Sequence, residues 1–488
     1  MYKLLKSFMA GAALAISPAL WATVELPDII SDNAVLQQNS DVKLWGKGKP
    51  GSKVRINTSW DNQNYSAQAD KKTGKWEIRV KTPAASYTPY TVTFDDGDGP
   101  EKIGNVLIGE VWFCSGQSNM EMPLRGYGVQ PIEGAQETIA YSGRYPGIRM
   151  VNIPKRASYT PQESVEGKWK QSCPKEAPEF SALAYFFARS LNDLLDVPVG
   201  IINCAYGGSK VEGWIPKEKL DTYTNWDMDA EEKNEALQEY ERIGVMYNAM
   251  LNPIIGYNVK GFLWNQGESN VGRHAEYPYH QKDMVEIWRD RWGLGELPFY
   301  FVELPGWSYG NPNGDNAAIF RESQHKGAEI LPNSGIVCTS DLIYPYELED
   351  IHACKKREIG ERMAFMAAGK TYGIEGMPVN YPTIKNVDYQ GDKAVLEFNY
   401  RGFTPNLDLP GFEVAGADRV FHPAKATEDW NTHTVTVSSD AVKDIKAVRY
   451  CFKNFAVGKV KDMYGLPLVP FRTDDWDNAV SAEFNIDR

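Results

Sequence analysis

Residues 105–124 read NVLIGEVWFCSGQSNMEMPL, and this stretch decides the fold. The apolar run at 111–114 is too short for a helix and predicts a buried strand, which ends in small and polar residues at 115–119. The residues from Met120 onward can begin a helix. This order places the hydroxyl of Ser118 at the carboxyl edge of a sheet, beside a helix N-terminus, where open α/β sheets carry out chemistry.

The chain around this stretch, from about residue 105 to 377, alternates strand patterns with helix patterns, which is typical of an α/β sheet. Apolar runs predict further strands at 197–204, 259–264, 297–304 and 335–340. Helical spacing predicts helices at 180–195, 229–247, 277–292, 317–328 and 355–368. We therefore expect a sheet with flanking helices, and the Ser118 turn at its carboxyl edge.

Short alternating runs separated by Gly, Pro, Asn and Asp flank this region on both sides. They predict a small β-sandwich at 23–104 and a second β domain at 378–488. The sandwich contains Trp45, Trp60 and Trp76, which would suit a carbohydrate-binding face. Core or interdomain packing is the more frequent use of tryptophans in sandwiches, and we favour it here.

The first 22 residues combine Lys3 and Lys6 with an apolar run and small residues near Ala19 and Ala22. This is the layout of a secretory signal peptide, with either alanine as the cleavage point. The segment is too short for a stable membrane anchor. We expect export to the periplasm or the extracellular space.

The formal net charge of −12 disfavours a nucleic acid or an anionic membrane as the partner. Six cysteines lack C-x-x-C spacing, so that a zinc site is not expected, and no disulfide pairing follows from their positions. Cys114 and Cys204 lie in apolar runs and are predicted to be core residues. No cofactor or metal is needed by the chemistry described below, and the pattern carries no signal for an oligomeric state.

A serine hydroxyl needs a general base, and the base needs an orienting group. The chain has six histidines. Among them, only His352 follows a late predicted strand and a polar loop and precedes a helix. Of the six, His352 is therefore the candidate base.

Four short blocks resemble those of SGNH-type carbohydrate acetylesterases, the sialate O-acetylesterase family. They are GQSNM around Ser118, AYGGS at 205–209, WNQGESN at 264–270 and DIHACKKREIGERMA at 350–364. The G-x-S-x-G elbow of α/β-hydrolases does not fit, because Met120 replaces its second glycine. Ala353 departs from the family pattern, in which a proline follows the histidine. Stretches in both β domains are also similar to this family, so the resemblance covers nearly the whole mature chain.

The resemblance implies an SGNH-like α/β fold with Ser118 as the nucleophile and His352 as the base. For the acid that orients the imidazole, Asp350 fits the Asp-Ile-His letters of this group, and Glu349 fits the more general spacing. We favour Asp350. In some relatives a backbone carbonyl takes this role and leaves a Ser-His dyad.

The same blocks imply an oxyanion site with three donors. They are the backbone N–H of Ser118, a glycine N–H in AYGGS, and a side-chain amide in WNQGESN. Gly207 fits the second position best, with Gly208 as the alternative, and Gln266 fits the third. Each signal alone is weak, because a glycine pair after a strand is ordinarily a tight turn and a loop glutamine is ordinarily solvated.

The predicted function is that of a secreted serine esterase that removes O-acetyl groups from sialic acid. Acetylated xylan or xyloglucan is the alternative substrate, since the blocks specify deacetylation rather than the sugar. A noncatalytic glycan-binding protein is a further alternative, and a lipase or thioesterase is possible in principle. Trp214, Trp307 and Tyr206 are candidates for lining the sugar site, and Glu268 is interpreted as a carboxylate that shapes its loop.

Overall fold

The computed structural model describes residues 24–223, 228–400, 402–405 and 408–477. The predicted signal peptide at 1–22 lies outside these ranges. Within them, the chain forms a central mixed sheet with helices on both faces and further β-sheets at each end.

Six strands precede the central sheet and form the predicted β-sandwich. They are β1 (Val35–Gln37), β2 (Asp41–Lys47), β3 (Lys53–Thr58), β4 (Asn64–Gln68), β5 (Lys75–Lys81) and β6 (Ser86–Asp95). β2 pairs with β5, while β3 pairs with β4 and β6. Trp76 on β5 packs against Phe94 on β6 with ring centroids 5.7 Å apart, so the two small sheets face each other. Trp76 is thus a core residue, as the packing interpretation predicted.

The strand β7 (Pro100–Gly116) is 17 residues long and belongs to two structures at once. Its first half pairs antiparallel with β6 of the sandwich. Its second half pairs in parallel with two strands of the central sheet. The pairing with β6 extends to Ile108, and the pairing with the central sheet begins at Glu110. The expected boundary between residues 104 and 105 therefore falls inside a continuous strand, and the domain limits stay predictions.

The central sheet has the order β13-β12-β11-β7-β10-β8-β9 and is parallel except for the β8–β9 pair. Its remaining strands are β8 (Ile148–Asn152), β9 (Lys170–Gln171), β10 (Val199–Ala205), β11 (Gly261–Asn265), β12 (Phe299–Val302) and β13 (Ser334–Val337). Side chains of β7 alternate between the two faces. Val111 and Phe113 join one apolar core and Trp112 and Cys114 the other, so the strand is buried on both sides.

The helices are α1 (Ser118–Glu121), α2 (Ala135–Tyr141), α3 (Ala182–Leu195), α4 (Lys217–Leu220), α5 (Met228–Lys233), α6 (Tyr277–Trp292), α7 (Asn316–Glu329) and α8 (Lys356–Lys370). α3 and α8 pack together on the face of the sheet that holds Trp112. α6 and α7 cover the opposite face. Within the described ranges, none of the helices has the length and apolar character that a membrane crossing requires.

The C-terminal part contains β14 (Ile384–Tyr389), β15 (Lys393–Phe398), β16 (Phe412–Ala415), β17 (Phe421–Pro423), β18 (Lys425–Asp429), β19 (Thr434–Ser438), β20 (Ala447–Tyr450) and β21 (Phe471–Arg472). They form two four-stranded sheets around their own apolar core. The buried Arg449 of this unit bonds Asp315, just before α7, at 2.9 Å and Asp474 at 2.7 Å. The second β unit is therefore attached to the α/β part by buried charges.

The helix predicted over 229–247 is wrong. Only Met228–Lys233 is helical, and a 3₁₀ turn at Glu239–Glu241 and a π-helical turn at Tyr247–Leu251 follow. The Arg242 guanidinium donates to the carbonyl oxygens of Asn234 and Leu237, which replaces helical hydrogen bonds by side-chain contacts. Gly244, with φ of 75°, further breaks the helical path.

All six cysteines are free thiols. Cys114 and Cys204 are fully buried, as predicted. Burial raises the pKa of both thiols, so they remain protonated core side chains.

Candidate active site

Three neighbouring parallel strands end level with one another at the carboxyl edge of the sheet. Gly116 at the end of β7 is in register with Ala205 of β10 on one side and with Asn265 of β11 on the other. The candidate residues Ser118, Gly207 and Gln266 follow these ends by one or two positions. The strand register thus brings them to a common edge.

Ser118 is the first residue of the single-turn helix α1 and is half-buried. The turn before it is tight. Gly116 has φ of 139°, and a Cβ at this position would lie 2.0 Å from the carbonyl oxygen of Asn265. Only glycine allows β7 and β11 to approach this closely before the serine. Because Ser118 stands in the first turn, its backbone N–H has no acceptor within the helix and is available to a ligand.

The His352 imidazole is oriented by an amide. Its Nδ1 lies 2.7 Å from Oε1 of Gln130, and the ring of Tyr127 packs edge-on at a centroid distance of 5.3 Å. Its Nε2 is buried without a hydrogen-bond partner among the described residues. A buried, unpaired ring nitrogen is unusual and is often a functional feature.

Asp350 is connected to the imidazole of His352 through the side chain of Gln130. The Gln130 Nε2 donates to Oδ1 of Asp350 at 2.6 Å, and the backbone N–H of His352 donates to the same oxygen at 2.9 Å. Because the carboxylate fixes the amide N–H₂ on its side, the amide oxygen faces Nδ1. Nδ1 is then the protonated nitrogen, and Nε2 carries the free lone pair. Glu349, the alternative acid, instead accepts from Ser308 Oγ at 2.9 Å.

Burial lowers the pKa of His352 to about 4, the positive charge of Lys356 lowers it as well, and the carboxylate of Asp350 opposes both effects. The imidazole is therefore neutral at neutral pH. A neutral imidazole with a free Nε2 is the form that accepts a proton from a hydroxyl.

Asn119 connects the serine turn to the histidine loop. Its Nδ2 donates to the backbone oxygen of Ile351 at 3.0 Å and to the carboxylate of Glu268. Its Oδ1 accepts from Nζ of the buried Lys356 at 2.6 Å. The residues next to Ser118 and next to His352 are thus in direct contact, which brings the candidate nucleophile and base to the same place.

Gly207 lies against the serine, since a Cβ built on it would be 3.4 Å from Cβ of Ser118. Its N–H donates to Oε2 of Glu121 at 2.7 Å. The other oxygen of Glu121 is paired with Lys155 at 2.9 Å. A carboxylate of the protein therefore occupies the glycine donor. Gly208, the alternative, has φ of 79° and supplies the left-handed residue of the turn.

Gln266 does not present a free amide. Its Nε2 donates to the carbonyl oxygen of Ser209 at 3.0 Å and to Oδ1 of Asn270 at 2.7 Å, so both N–H bonds are used. Its Oε1 accepts from the hydroxyl of Tyr277 at 2.9 Å. In this arrangement Gln266 connects the loops after β10 and β11 and has no N–H left for an oxyanion.

The sequence matches over residues 108–368 the family described as carbohydrate esterase, sialic acid-specific acetylesterase. This match spans more than half of the chain and contains all the site residues above. The chain belongs to this family. It is therefore a carboxylic-ester hydrolase of the carbohydrate esterase class.

Several named proteins resemble this esterase along most of its length. The sialate O-acetylesterase of Homo sapiens is 24% identical over 415 residues, covering 76% of this chain and 75% of the relative. The sialate O-acetylesterase of Mus musculus is 23% identical over 428 residues, with 76% and 78% covered. The crystal structure of a carbohydrate acetylesterase from Xanthomonas citri superimposes with a TM-score of 0.82 at 32% identity, covering 93% of this chain and 100% of that one.

The candidates for the sugar site of the esterase have different surroundings. Trp214 is fully buried, packs against Trp264 and Trp288, and donates its indole N–H to Ser209, so it belongs to the core and cannot contact a sugar. Trp307 is partly buried against Tyr309. Tyr206 is partly exposed and donates to Glu239 at 3.0 Å.

Sequence reasoning missed Gln130, Tyr127 and Glu121 of the esterase. Gln130 stands in the segment RGYGVQP, which has no strand or helix pattern and lies far in sequence from His352. Glu121 is one turn after the serine and had no partner that the sequence could indicate. In the described residues, no group of three or more His, Cys, Asp and Glu side chains is arranged to hold a metal ion. The absence of a cofactor stays a prediction.

Proposed function

We propose that this esterase is a sialate O-acetylesterase that uses Ser118 as nucleophile and His352 as base. Family membership and the names of the mammalian relatives support the substrate class. One observation carries the mechanism. The imidazole of His352 has its Nδ1 held by Gln130 and its Nε2 buried and unpaired, beside the turn that presents Ser118.

In the proposed reaction, the Ser118 Oγ attacks the acetyl carbonyl carbon while Nε2 of His352 takes the hydroxyl proton. The tetrahedral intermediate collapses, the sugar oxygen leaves with that proton, and an acetyl-serine remains. Water then attacks the acetyl-serine while Nε2 takes a proton from it. The second tetrahedral intermediate collapses, Nε2 returns that proton to the Ser118 oxygen, and acetate is released. Gln130 and Asp350 hold Nδ1–H in place and stabilise the positive charge that the imidazole gains in each step.

The negative charge on the carbonyl oxygen needs donors at the strand ends. We assign the first to the backbone N–H of Ser118. The second is the N–H of Gly207, which becomes available when the substrate displaces the carboxylate of Glu121. Gln266 is assigned a supporting role, because its amide holds the loop that follows Gly208.

The first test compares Ser118→Ala with Ser66→Ala, an exposed serine on β4 that serves as the control. Hydrolysis of a chromogenic acetate ester should be lost in Ser118→Ala and kept in Ser66→Ala. Equal rates in both variants would contradict the esterase mechanism and favour a glycan-binding protein. Activity that rises with acyl chains longer than acetate would favour a lipase or thioesterase.

The second test measures acetate release from a panel of O-acetylated sialosides and acetylated xylan and xyloglucan oligosaccharides. We expect the highest kcat/KM on the sialosides. A preference for the hemicellulose fragments would overturn the sugar assignment and leave the esterase chemistry intact. The Xanthomonas relative, named only as a carbohydrate acetylesterase, is compatible with either result.

Export is part of the proposal as well. The signal-like composition of residues 1–22 supports a periplasmic or extracellular location, where acetylated glycans of other cells are met. Fractionation of expressing cells and N-terminal sequencing of the mature protein test it. Full-length protein that starts at Met1 and stays in the cytoplasm would contradict it.

A further inference from the structure

The lysine at the start of α8 lies in an unusual place for its charge. Lys356 is only 1% exposed, and its Nζ donates to Oδ1 of Asn119 at 2.6 Å. Buried lysines are rare and are expected to be paired. The opposite charge is supplied by the carboxylate of Glu268, which accepts from the other end of the same amide. Burial raises the pKa of Glu268, and the hydrogen bond from Asn119 and the charge of Lys356 oppose this effect. A cation and an anion are thus joined through the side chain of Asn119.

This amide can take only one orientation. Its N–H₂ donates to Glu268 and to the backbone oxygen of Ile351, and its oxygen accepts from the ammonium group. The flipped amide would place N–H₂ against Lys356 and an oxygen against two acceptors. The two charges therefore fix the residue that directly follows the nucleophile.

The contacts join parts of the fold that are distant in sequence. Asn119 is in α1 after β7, Glu268 follows β11, Ile351 precedes the base, and Lys356 begins α8. α1 has a single turn of four residues, and an isolated turn of this length has no stability of its own. Its position relative to the histidine must come from outside the helix.

We propose that Lys356 and Glu268, bridged by Asn119, are positioning residues that hold the Ser118 turn against the His352 loop. The inference rests on the proposed roles of Ser118 and His352. It assigns a function to a pair of buried, opposite charges that are joined through the amide of Asn119. Such pairs contribute little to net stability compared with apolar residues, so their presence here favours a role in geometry.

The charged groups around Lys356 and His352 determine how the lysine affects the imidazole. Lys356 faces Glu268, Glu347, Asp350 and Cys354, and its pKa falls to about 8 because of its burial, against the pull of the three carboxylates. His352 faces Lys356, Asp350 and the ring of Tyr127. The positive charge of Lys356 lowers the pKa of His352, so removing it should raise that pKa.

The test measures the pH profile of kcat/KM for a chromogenic acetate ester in Lys356→Met. We expect kcat to fall roughly 10²-fold with KM little changed, since a small misplacement of the serine is enough for such a loss. We also expect the acid limb of the profile to move to higher pH. Lys356→Arg keeps the charge and should keep the acid limb in place. The control is Lys370→Met at the exposed opposite end of the same helix, which should change neither quantity.

A purely structural role would lower stability and activity but leave the acid limb where it is. A folded Lys356→Met with unchanged kcat and an unmoved acid limb overturns the inference. If Lys356→Met does not fold, the double variant Lys356→Met/Glu268→Gln removes both buried charges and should show the same shift of the limb. An active Ser118→Ala variant would contradict the proposed function. If Ser118→Ala is inactive but the acid limb of the pH profile does not move in Lys356→Met, only the positioning role of Lys356 and Glu268 is contradicted.

Discussion

Gln130 is the residue that distinguishes the candidate site from the common serine-histidine-acid triad. In the common triad a carboxylate touches the imidazole, whereas here a neutral amide lies between Asp350 and Nδ1. An amide oxygen can orient the ring by the same hydrogen bond as a carboxylate, but it is neutral and stabilises the imidazolium less. Burial and the charge of Lys356 lower the pKa of His352 to about 4, and the carboxylate of Asp350 only partly opposes them.

Replacing Gln130 by alanine should therefore weaken catalysis without abolishing substrate binding. We expect kcat for a chromogenic acetate to fall roughly 10–10²-fold, which is at or below the range of general base assistance, while KM changes little. Steady-state kinetics measures both values. Gln136→Ala, on the exposed side of α2, is the control and should behave as wild type. A Gln130→Ala variant with wild-type kcat would show that the amide does not orient the base.

The pH dependence of activity follows from the protonation of His352. His352 must be neutral to act as a base, and its depressed pKa keeps it neutral well below pH 6.5. Activity should be retained through mildly acidic pH and lost as the pH falls through about 4. The profile of kcat/KM against pH measures this limb, with protein stability checked at each pH. An acid limb near the ordinary pKa of histidine would contradict the buried, amide-oriented imidazole.

At the scale of residues, the sequence indicates the candidate site residues that follow strand ends. It does not indicate the residues that irregular loops bring to the site. Ser118 and Gly207 were proposed because their surroundings resemble two blocks of the family, and each block follows an apolar run that predicts a strand. Gln130 could not be found, because its loop has no periodic pattern and its partner is far away in sequence. The roles of Gln266 and Asp350 depend on the hydrogen bonds that their side chains form with other parts of the protein. The amino-acid sequence alone does not show these hydrogen bonds.

At the scale of elements, α3 and α8 pack against each other, and α8 begins four residues after His352. Gly360 of α8 faces α3, and a Cβ there would lie 2.7 Å from the carbonyl oxygen of Leu183 and from the backbone nitrogen of Phe187. These are backbone atoms, so the contact cannot be relieved by a side-chain rotation. The glycine is needed for the close approach of the two helices.

Gly360→Ala should lower the free energy of unfolding by about 1–3 kcal/mol, as overpacking does in dense cores. It should also lower esterase activity, because Lys356 lies one turn earlier on the same helix. Gly143→Ala is the matched control, since a Cβ there meets only Pro174 at an ordinary 3.6 Å. Urea denaturation of both variants measures the effect. Equal stability of the two would show that α3 and α8 can separate at little cost.

Regular elements with continuous periodic patterns were predicted closely. α6 begins and ends at the predicted residues, and α3 and α7 differ by one or two positions from the prediction. The helix prediction for the region after α5 was wrong because its charged residues are as compatible with a helix as with an irregular loop. The hydrogen bonds of Arg242 to backbone oxygens determine the conformation of this region, and a local sequence pattern cannot show such contacts.

Across the whole molecule, buried polar ties join the C-terminal β unit to the α/β part. Asn454, fully buried, accepts from the backbone N–H of Trp307 at 3.1 Å and of Ala317 at 2.8 Å. Arg449 adds its pairs with Asp315 and Asp474. The sequence predicted the β unit, but the contacts of Asn454 with Trp307 and Ala317 and of Arg449 with Asp315 link residues more than a hundred positions apart. A local sequence pattern gives no signal for such contacts.

Removing the Arg449 guanidinium should destabilise the assembled molecule strongly. In Arg449→Met, two carboxylates would remain buried without their cation, which typically costs about 3–5 kcal/mol. Arg156→Met, which breaks the exposed pair with Glu166, should cost at most about 1 kcal/mol. Urea unfolding followed by tryptophan fluorescence measures both. A similar loss in the two variants would mean that the C-terminal unit is not held by these charges.

The shared strand β7 also constrains how the chain acquires its shape during synthesis. Its sandwich half can pair as soon as it leaves the ribosome, because β6 is already made. Its apolar half, ending at Gly116, needs β10 and β11, which begin only at Val199 and Gly261. At translation speeds of about 5–20 residues per second, that half stays without its neighbours for several seconds. During this period, the apolar half of β7 is exposed to chaperones and to other incomplete chains.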